Sequence, residues 1–150
     1  MFFQLPFLAE YAVRRHDFAF IEKLWQDWSP GWKYPAEFIA RVKETFRQPG
    51  VVEAALAYYR ALPDFITAAG RASFHLVSSQ VHVPTLAITG ANDGCLDSEI
   101  FDTLLKKENF PRGLRLERIA GAGHFVHREK PEAIISLLRE WLKTNSPAAS

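Results

Sequence analysis

Two strand ends in this chain carry residues that can move a proton. The first reads Pro84-Thr85-Leu86-Ala87-Ile88-Thr89-Gly90-Ala91-Asn92-Asp93: an apolar strand that runs into a glycine turn bearing one acid. The second reads Leu114-Arg115-Leu116-Glu117-Arg118-Ile119-Ala120-Gly121-Ala122-Gly123-His124-Phe125: another strand and glycine turn, bearing one histidine. An imidazole serves as a general base when a carboxylate orients it. The third partner of such a pair is a nucleophile at the centre of a G-x-S-x-G, G-x-D-x-G or G-x-C-x-G turn, and the sequence contains none. Gly90-Ala91-Asn92-Asp93-Gly94 has the spacing, but Asn92 at its centre is not a nucleophile. The residues amount to two thirds of a catalytic triad.

Each residue also has an ordinary reading. Aspartate is favoured in turns, so Asp93 alone reads as a turn residue, and His124 alone as a surface-loop histidine. Their order adds weight, because acid then histidine is the order of the last two members of a nucleophile–acid–histidine triad. Asp97 is a rival acid placed where a helix cap is expected. His127 faces solvent or caps the next element. Cys95 is either a thiolate partner for His124 or, as free cysteines usually are, a small buried hydrophobe. No His or Cys pair has a supported metal-ligand spacing, and His124-x-x-His127 alone is weak.

The elements that hold these residues change character near Val83-Pro84. Before that point helical spacing dominates. Phe18, Ile21, Trp25 and Trp28 share one face, with Asp17 placed as an N-cap. Trp28-Ser29-Pro30-Gly31-Trp32 breaks the pattern. Pro35 suits a first helical turn, followed by Phe38, Val42 and Phe46, and Gln48-Pro49-Gly50 ends that helix. Val52, Leu56, Tyr59 and Leu62 mark a further face that closes near Pro63, and residues 64–82 read as loop with some helix. After Pro84 the order is a strand over 85–89, a helix over 98–107, a strand over 114–119 and a helix over 131–144. The last helix has Ile134, Leu137, Leu138 and Trp141 as its buried face. Strand–helix–strand–helix implies a parallel sheet, so the acid and the histidine both leave carboxyl ends of strands, where open α/β sheets place their sites.

Composition excludes other classes. The chain has 150 residues, 48% hydrophobic and 23% charged, which suits a soluble globular protein. A net charge of +1 without a basic run gives no general attraction to nucleic acid or an anionic membrane. The single Cys95 permits no internal disulfide and favours a reducing, cytoplasmic setting. The apolar start lacks a basic leader, and Gln4, Pro6 and Glu10 interrupt it, against a signal peptide. No apolar stretch approaches the ~20 residues of a spanning helix.

Four stretches give the chain a resemblance to the α/β-hydrolase fold superfamily, in its epoxide hydrolase-like branch. The segment from Val83 to Asp93 is similar to the strand that delivers the acid of that family. Gly121-Ala122-Gly123-His124-Phe125, on through Lys130-Pro131-Glu132, is similar to its histidine loop and final helix. Phe3-Gln4-Leu5-Pro6-Phe7-Leu8-Ala9-Glu10 resembles the opening of the cap, and Tyr58-Tyr59-Arg60 a cap-helix motif. The resemblance covers nearly the whole chain. It implies the C-terminal part of an α/β-hydrolase fold, with a helical cap over 1–82, a βαβα parallel-sheet segment over 83–144 and a flexible tail over 145–150.

The resemblance also implies roles. Asp93 orients His124, and His124 activates water against a covalent ester formed on an aspartate nucleophile. Tyr59 polarises the epoxide oxygen, with Tyr58 as the alternative tyrosine and core packing as the alternative role. Trp28 and Phe3 complete the substrate-binding set for a small apolar substrate. No cofactor and no metal are implied. The chain departs from the family pattern in lacking the nucleophile elbow and the oxyanion-hole loop, and the usual second cap tyrosine would fall ahead of Met1. The expectation is therefore an inactive isolated chain, completed by an N-terminal half in trans or assembled as a homodimer. The alternatives are a non-catalytic fragment or interaction module and, among enzymes, a haloalkane dehalogenase or an esterase.

Overall fold

The computed structural model describes residues 2–61 and 67–145. They fall into two compact units. One is built from the described residues up to Trp25 and from Lys33 to Ser79, the other from Gln26–Trp32 and from Gln80 onward. Leu62 and Pro63, expected to close a helical face, lie outside the described residues, as do 146–150 of the expected tail.

The first unit is helical. Helix α1, Leu8–Trp28, is interrupted where His16, Asp17 and Phe18 adopt φ of +51, +53 and +58. Left-handed backbone is costly for ordinary residues and is tolerated best by Asn, Asp and His. Burial of Phe18 against Phe46, with ring centroids 6.3 Å apart, helps to hold the break. Asp17 is therefore not the expected N-cap. Its backbone is left-handed, and its carboxylate takes Arg47 at 2.6 Å. Helix α2, Ala36–Arg47, starts after Pro35, and helix α3, Val51–Ala61, follows Gly50, whose φ of +80 suits glycine. Their stripes meet in a core of Ala9, Val13, Phe18, Ile21, Ile39, Val52 and Leu56.

Helix α4, Ala68–Val77, occupies part of the stretch read as loop with some helix. Thr67 caps it by accepting the Gly70 N–H at 3.0 Å. None of its residues is buried, and Phe74, Leu76 and Val77 are exposed.

The second unit is the expected strand–helix–strand–helix. Strand β1, Thr85–Gly90, leads through a short helix α5, Ile100–Leu104, to strand β2, Leu114–Ile119. The strands pair in parallel, from Thr85 opposite Leu114 to Gly90 opposite Ile119. The crossover helix is shorter than 98–107 because the chain tightens into a 3₁₀ turn at Lys107–Asn109. One turn, α6 at Val126–Glu129, precedes the final helix α7, Pro131–Asn145, which takes in Asn145 from the expected tail. Of the face expected to be buried on α7, Ile134 is buried and Leu137 and Trp141 are half-buried, while Leu138 is 42% exposed. The two described strands are too narrow to cover a wider strip. No helix among the described residues is long and apolar enough to cross a membrane.

Candidate active site

Glycine lets the two strand ends close on each other. A Cβ on Gly90 would stand 2.0 Å from the Gly123 carbonyl oxygen and 2.4 Å from that of Ala122. The turn after β1 therefore slides under the histidine loop only if residue 90 has no side chain. Backbone bonds fix the approach: the Ala91 N–H donates to the Ile119 carbonyl at 3.0 Å, and the Asn92 N–H to the Ala122 carbonyl at 2.8 Å.

This places Asp93 beside His124. Oδ2 of Asp93 lies 2.9 Å from Nδ1 of His124. Oδ1 accepts the Cys95 and Leu96 N–H groups at 2.8 and 3.0 Å. The Asp93 side chain is 6% exposed, and both its oxygens are spoken for. A carboxylate accepts and does not donate, so Nδ1 of His124 carries the shared proton, and in the neutral ring the lone pair is on Nε2. The imidazole is 29% exposed, which leaves it open to water. Trp28 meets it edge-on at 5.0 Å between centroids, and Phe125 at 5.3 Å. Such edge contacts favour one ring orientation.

A second layer holds the loop, and the sequence reading missed it. The Trp28 carbonyl accepts the N–H of Gly94 and the N–H of His124, both at 3.0 Å, so one oxygen ties the acid turn to the histidine loop. Glu129 Oε2 accepts the Gly123 N–H at 2.9 Å, and its Oε1 accepts the Ser29 hydroxyl at 2.8 Å. The Ser29 oxygen accepts the Phe125 N–H at 3.2 Å. The Trp28 carbonyl and the Ser29 hydroxyl, adjacent in the chain, thus both serve the histidine loop. The contact between Ser29 and Glu129 spans a separation of 100 residues, which no local pattern encodes.

Phe3 and Tyr59 pack together in the helical unit, ring centroids 4.9 Å apart. Tyr59 is 38% exposed at the end of the Val52–Leu56 stripe, and its hydroxyl makes no hydrogen bond among the described residues. Tyr58 is more exposed and packs edge-on against Tyr59. Asp97 accepts the Glu99 N–H at 3.0 Å within the turn before α5, whose N-cap is Glu99 and not the expected Asp97. Cys95 is exposed rather than a buried hydrophobe. Partial burial, then the Asp93 charge, push its thiol above the usual range, against a thiolate.

Comparison with known proteins finds hydrolases of more than one kind, epoxide hydrolases and esterases among them. No protein-family model matches the chain. The chain is 29% identical over 142 residues to the AB hydrolase superfamily protein YfhM of Bacillus subtilis, covering 95% of this chain and 46% of that protein. It is 27% identical over 146 residues to epoxide hydrolase 3 of Xenopus tropicalis, covering 94% and 37%. Among solved structures, an epoxide hydrolase from Bacillus megaterium complexed with its product superposes with a TM-score of 0.70 at 26% identity, covering 94% of this chain and 49% of that one. The chain thus spans less than half the length of the two curated relatives.

Proposed function

We propose, on the premise that the chain is an α/β-hydrolase of the epoxide hydrolase-like branch, that it supplies the acid and the general base for hydrolysis of a small apolar epoxide. Asp93 holds Nδ1 of His124, and Nε2 takes a proton from water. The water oxygen attacks the carbonyl carbon of an ester formed when an aspartate opened the epoxide. The ester C–O bond then breaks, which frees the diol and restores the carboxylate. Tyr59 polarises the epoxide oxygen through its hydroxyl as the ring opens, and the alkoxide so formed takes a proton from solvent. His124 returns its own proton to solvent after the ester is cleaved. Phe3 and Trp28 offer aromatic faces to the substrate. The aspartate nucleophile comes from outside this sequence.

The observation that carries this reading is the 2.9 Å contact between Asp93 and His124 at adjacent strand ends. The test uses an aryl glycidyl ether. The chain alone gives no measurable hydrolysis, because the members of a triad act as a unit. Joined to an α/β-hydrolase half that carries a G-x-D-x-G elbow, it turns the ether over, and His124→Ala abolishes the turnover. Hydrolysis by the chain alone that disappears in His124→Ala would put the nucleophile within these residues and refute the proposal.

A further inference from the structure

We infer that Glu129 and Ser29 form a positioning pair for His124, a role that rests on the reading of His124 as the base. Three consecutive amides run through the histidine, and each has a different acceptor. Gly123 N–H goes to Glu129 at 2.9 Å, His124 N–H to the Trp28 carbonyl at 3.0 Å, and Phe125 N–H to the Ser29 oxygen at 3.2 Å. The 2.8 Å bond from Ser29 to Glu129 joins the outer two acceptors into one bracket. The backbone on both sides of the imidazole is thereby fixed, and with it the direction in which the ring leaves the chain.

The bracket is built from locally determined parts. Trp32 N–H returns to the Ser29 carbonyl at 3.1 Å, and Gly31 has φ of +88, so Ser29-Pro30-Gly31-Trp32 fits a type II turn. That turn holds Ser29 at 1% exposure. Gly123 is the matching void, since a Cβ there would lie 2.5 Å from the Ser29 Cα. On the other side, α6 makes a single turn and Pro131 follows directly. Proline keeps Lys130 out of the helical region, and Lys130 has φ −135. The turn thus stops where the Glu129 carboxylate can fold back on the loop that precedes it. The acceptor groups touch no reacting atom. They act through the orientation of His124.

The test is proton NMR on the purified full chain, with circular dichroism to confirm folding. The readouts are the downfield resonance of the Nδ1 proton shared with Asp93 and the exchange rates of the Gly123 and Phe125 amides. Glu129→Ala is expected to fold, to lose the downfield resonance, and to speed Gly123 exchange about tenfold or more, because a hydrogen bond to a charged acceptor is lost. Glu129→Gln restores both, since its carbonyl accepts from Gly123 and its amide group faces Ser29. A Glu129→Ala chain that keeps the resonance and the wild-type exchange rate overturns the inference, and so does a folded Glu129→Gln chain that behaves like alanine. If Glu129→Ala does not fold, Ser29→Ala decides: loss of the resonance and of Phe125 protection supports the bracket, and retention overturns it. A wild-type chain with no resonance, matching Asp93→Asn, would instead sink the reading of His124 as an oriented base.

Discussion

Gly90→Ala is the sharpest perturbation of the second unit. The added methyl would stand 2.0 Å from the Gly123 oxygen and 2.4 Å from the Ala122 oxygen. A comfortable carbon–oxygen approach is about 3.3 Å, so the loop must withdraw by about 1.3 Å. Both obstacles are backbone atoms, and no side chain can rotate out of the way. Overpacking of this kind costs about 3 kcal/mol, the upper part of its usual range. For a chain of this length each kcal/mol lowers the melting temperature by about 2–4 °C, which gives a fall of about 6–12 °C. The same withdrawal moves the residue before His124, and a shift of that size stretches the 2.9 Å contact to Asp93 beyond hydrogen-bond reach. Thermal unfolding followed by circular dichroism reads the first effect, and the Nδ1 proton resonance reads the second. Gly121→Ala is the control: its φ is +66 but nothing lies within 4 Å of the added methyl, so only the left-handed backbone penalty of about 1–2 kcal/mol applies. A Gly90→Ala chain that melts within about 2 °C of wild type, below even a 1 kcal/mol loss, with the resonance intact, would refute the reasoning.

Three further outcomes follow from the same structure. Cys95 should react slowly with iodoacetamide at neutral pH despite its exposure, and Asp93→Asn should speed it by removing the nearby negative charge; fast labelling of wild type at neutral pH would contradict the raised thiol. The hydrogen bond from Arg60 holds the Glu10 carboxyl below its ordinary range, so its contribution is full above that range and is lost as pH falls through the lowered value. Melting temperatures of wild type and Glu10→Gln should therefore converge in acid, and parallel curves would exclude it. Strand β1 pairs only with β2 among the described residues, and an open edge recruits other chains; sedimentation should show self-association, and a compact monomer would argue against it.

The parts of the fold legible in the sequence were those with local causes. Strand β1 announced itself by an apolar run ending in glycine and β2 by apolar residues interleaved with charged ones ahead of a glycine turn, and Pro35 and Pro131 marked helix starts within a residue. Asp93 and His124 were legible because their turns carry glycines where a close approach is needed. Helix α4 was legible only as some helix within a loop, since its Phe74, Leu76 and Val77 stay exposed and no buried face marks its bounds. The kink in α1 was not, because an ion pair with Arg47 and the burial of Phe18 override the capping preference of Asp17. Ser29 and Glu129 were invisible for a third reason. Each is unremarkable in its own segment, and they acquire a purpose only when distant loops meet.

The tautomer of His124 tests the central claim most directly. Nitrogen-15 spectra of histidine-labelled chain at neutral pH separate a protonated Nδ1 from a protonated Nε2. With Asp93 accepting at 2.9 Å, His124 should carry its proton on Nδ1 and leave Nε2 free to take one from water, and Asp93→Asn should abolish that preference. A wild-type His124 protonated on Nε2, with its lone pair on Nδ1, would mean that Asp93 does not orient it and that the pair is not a base poised for hydrolysis.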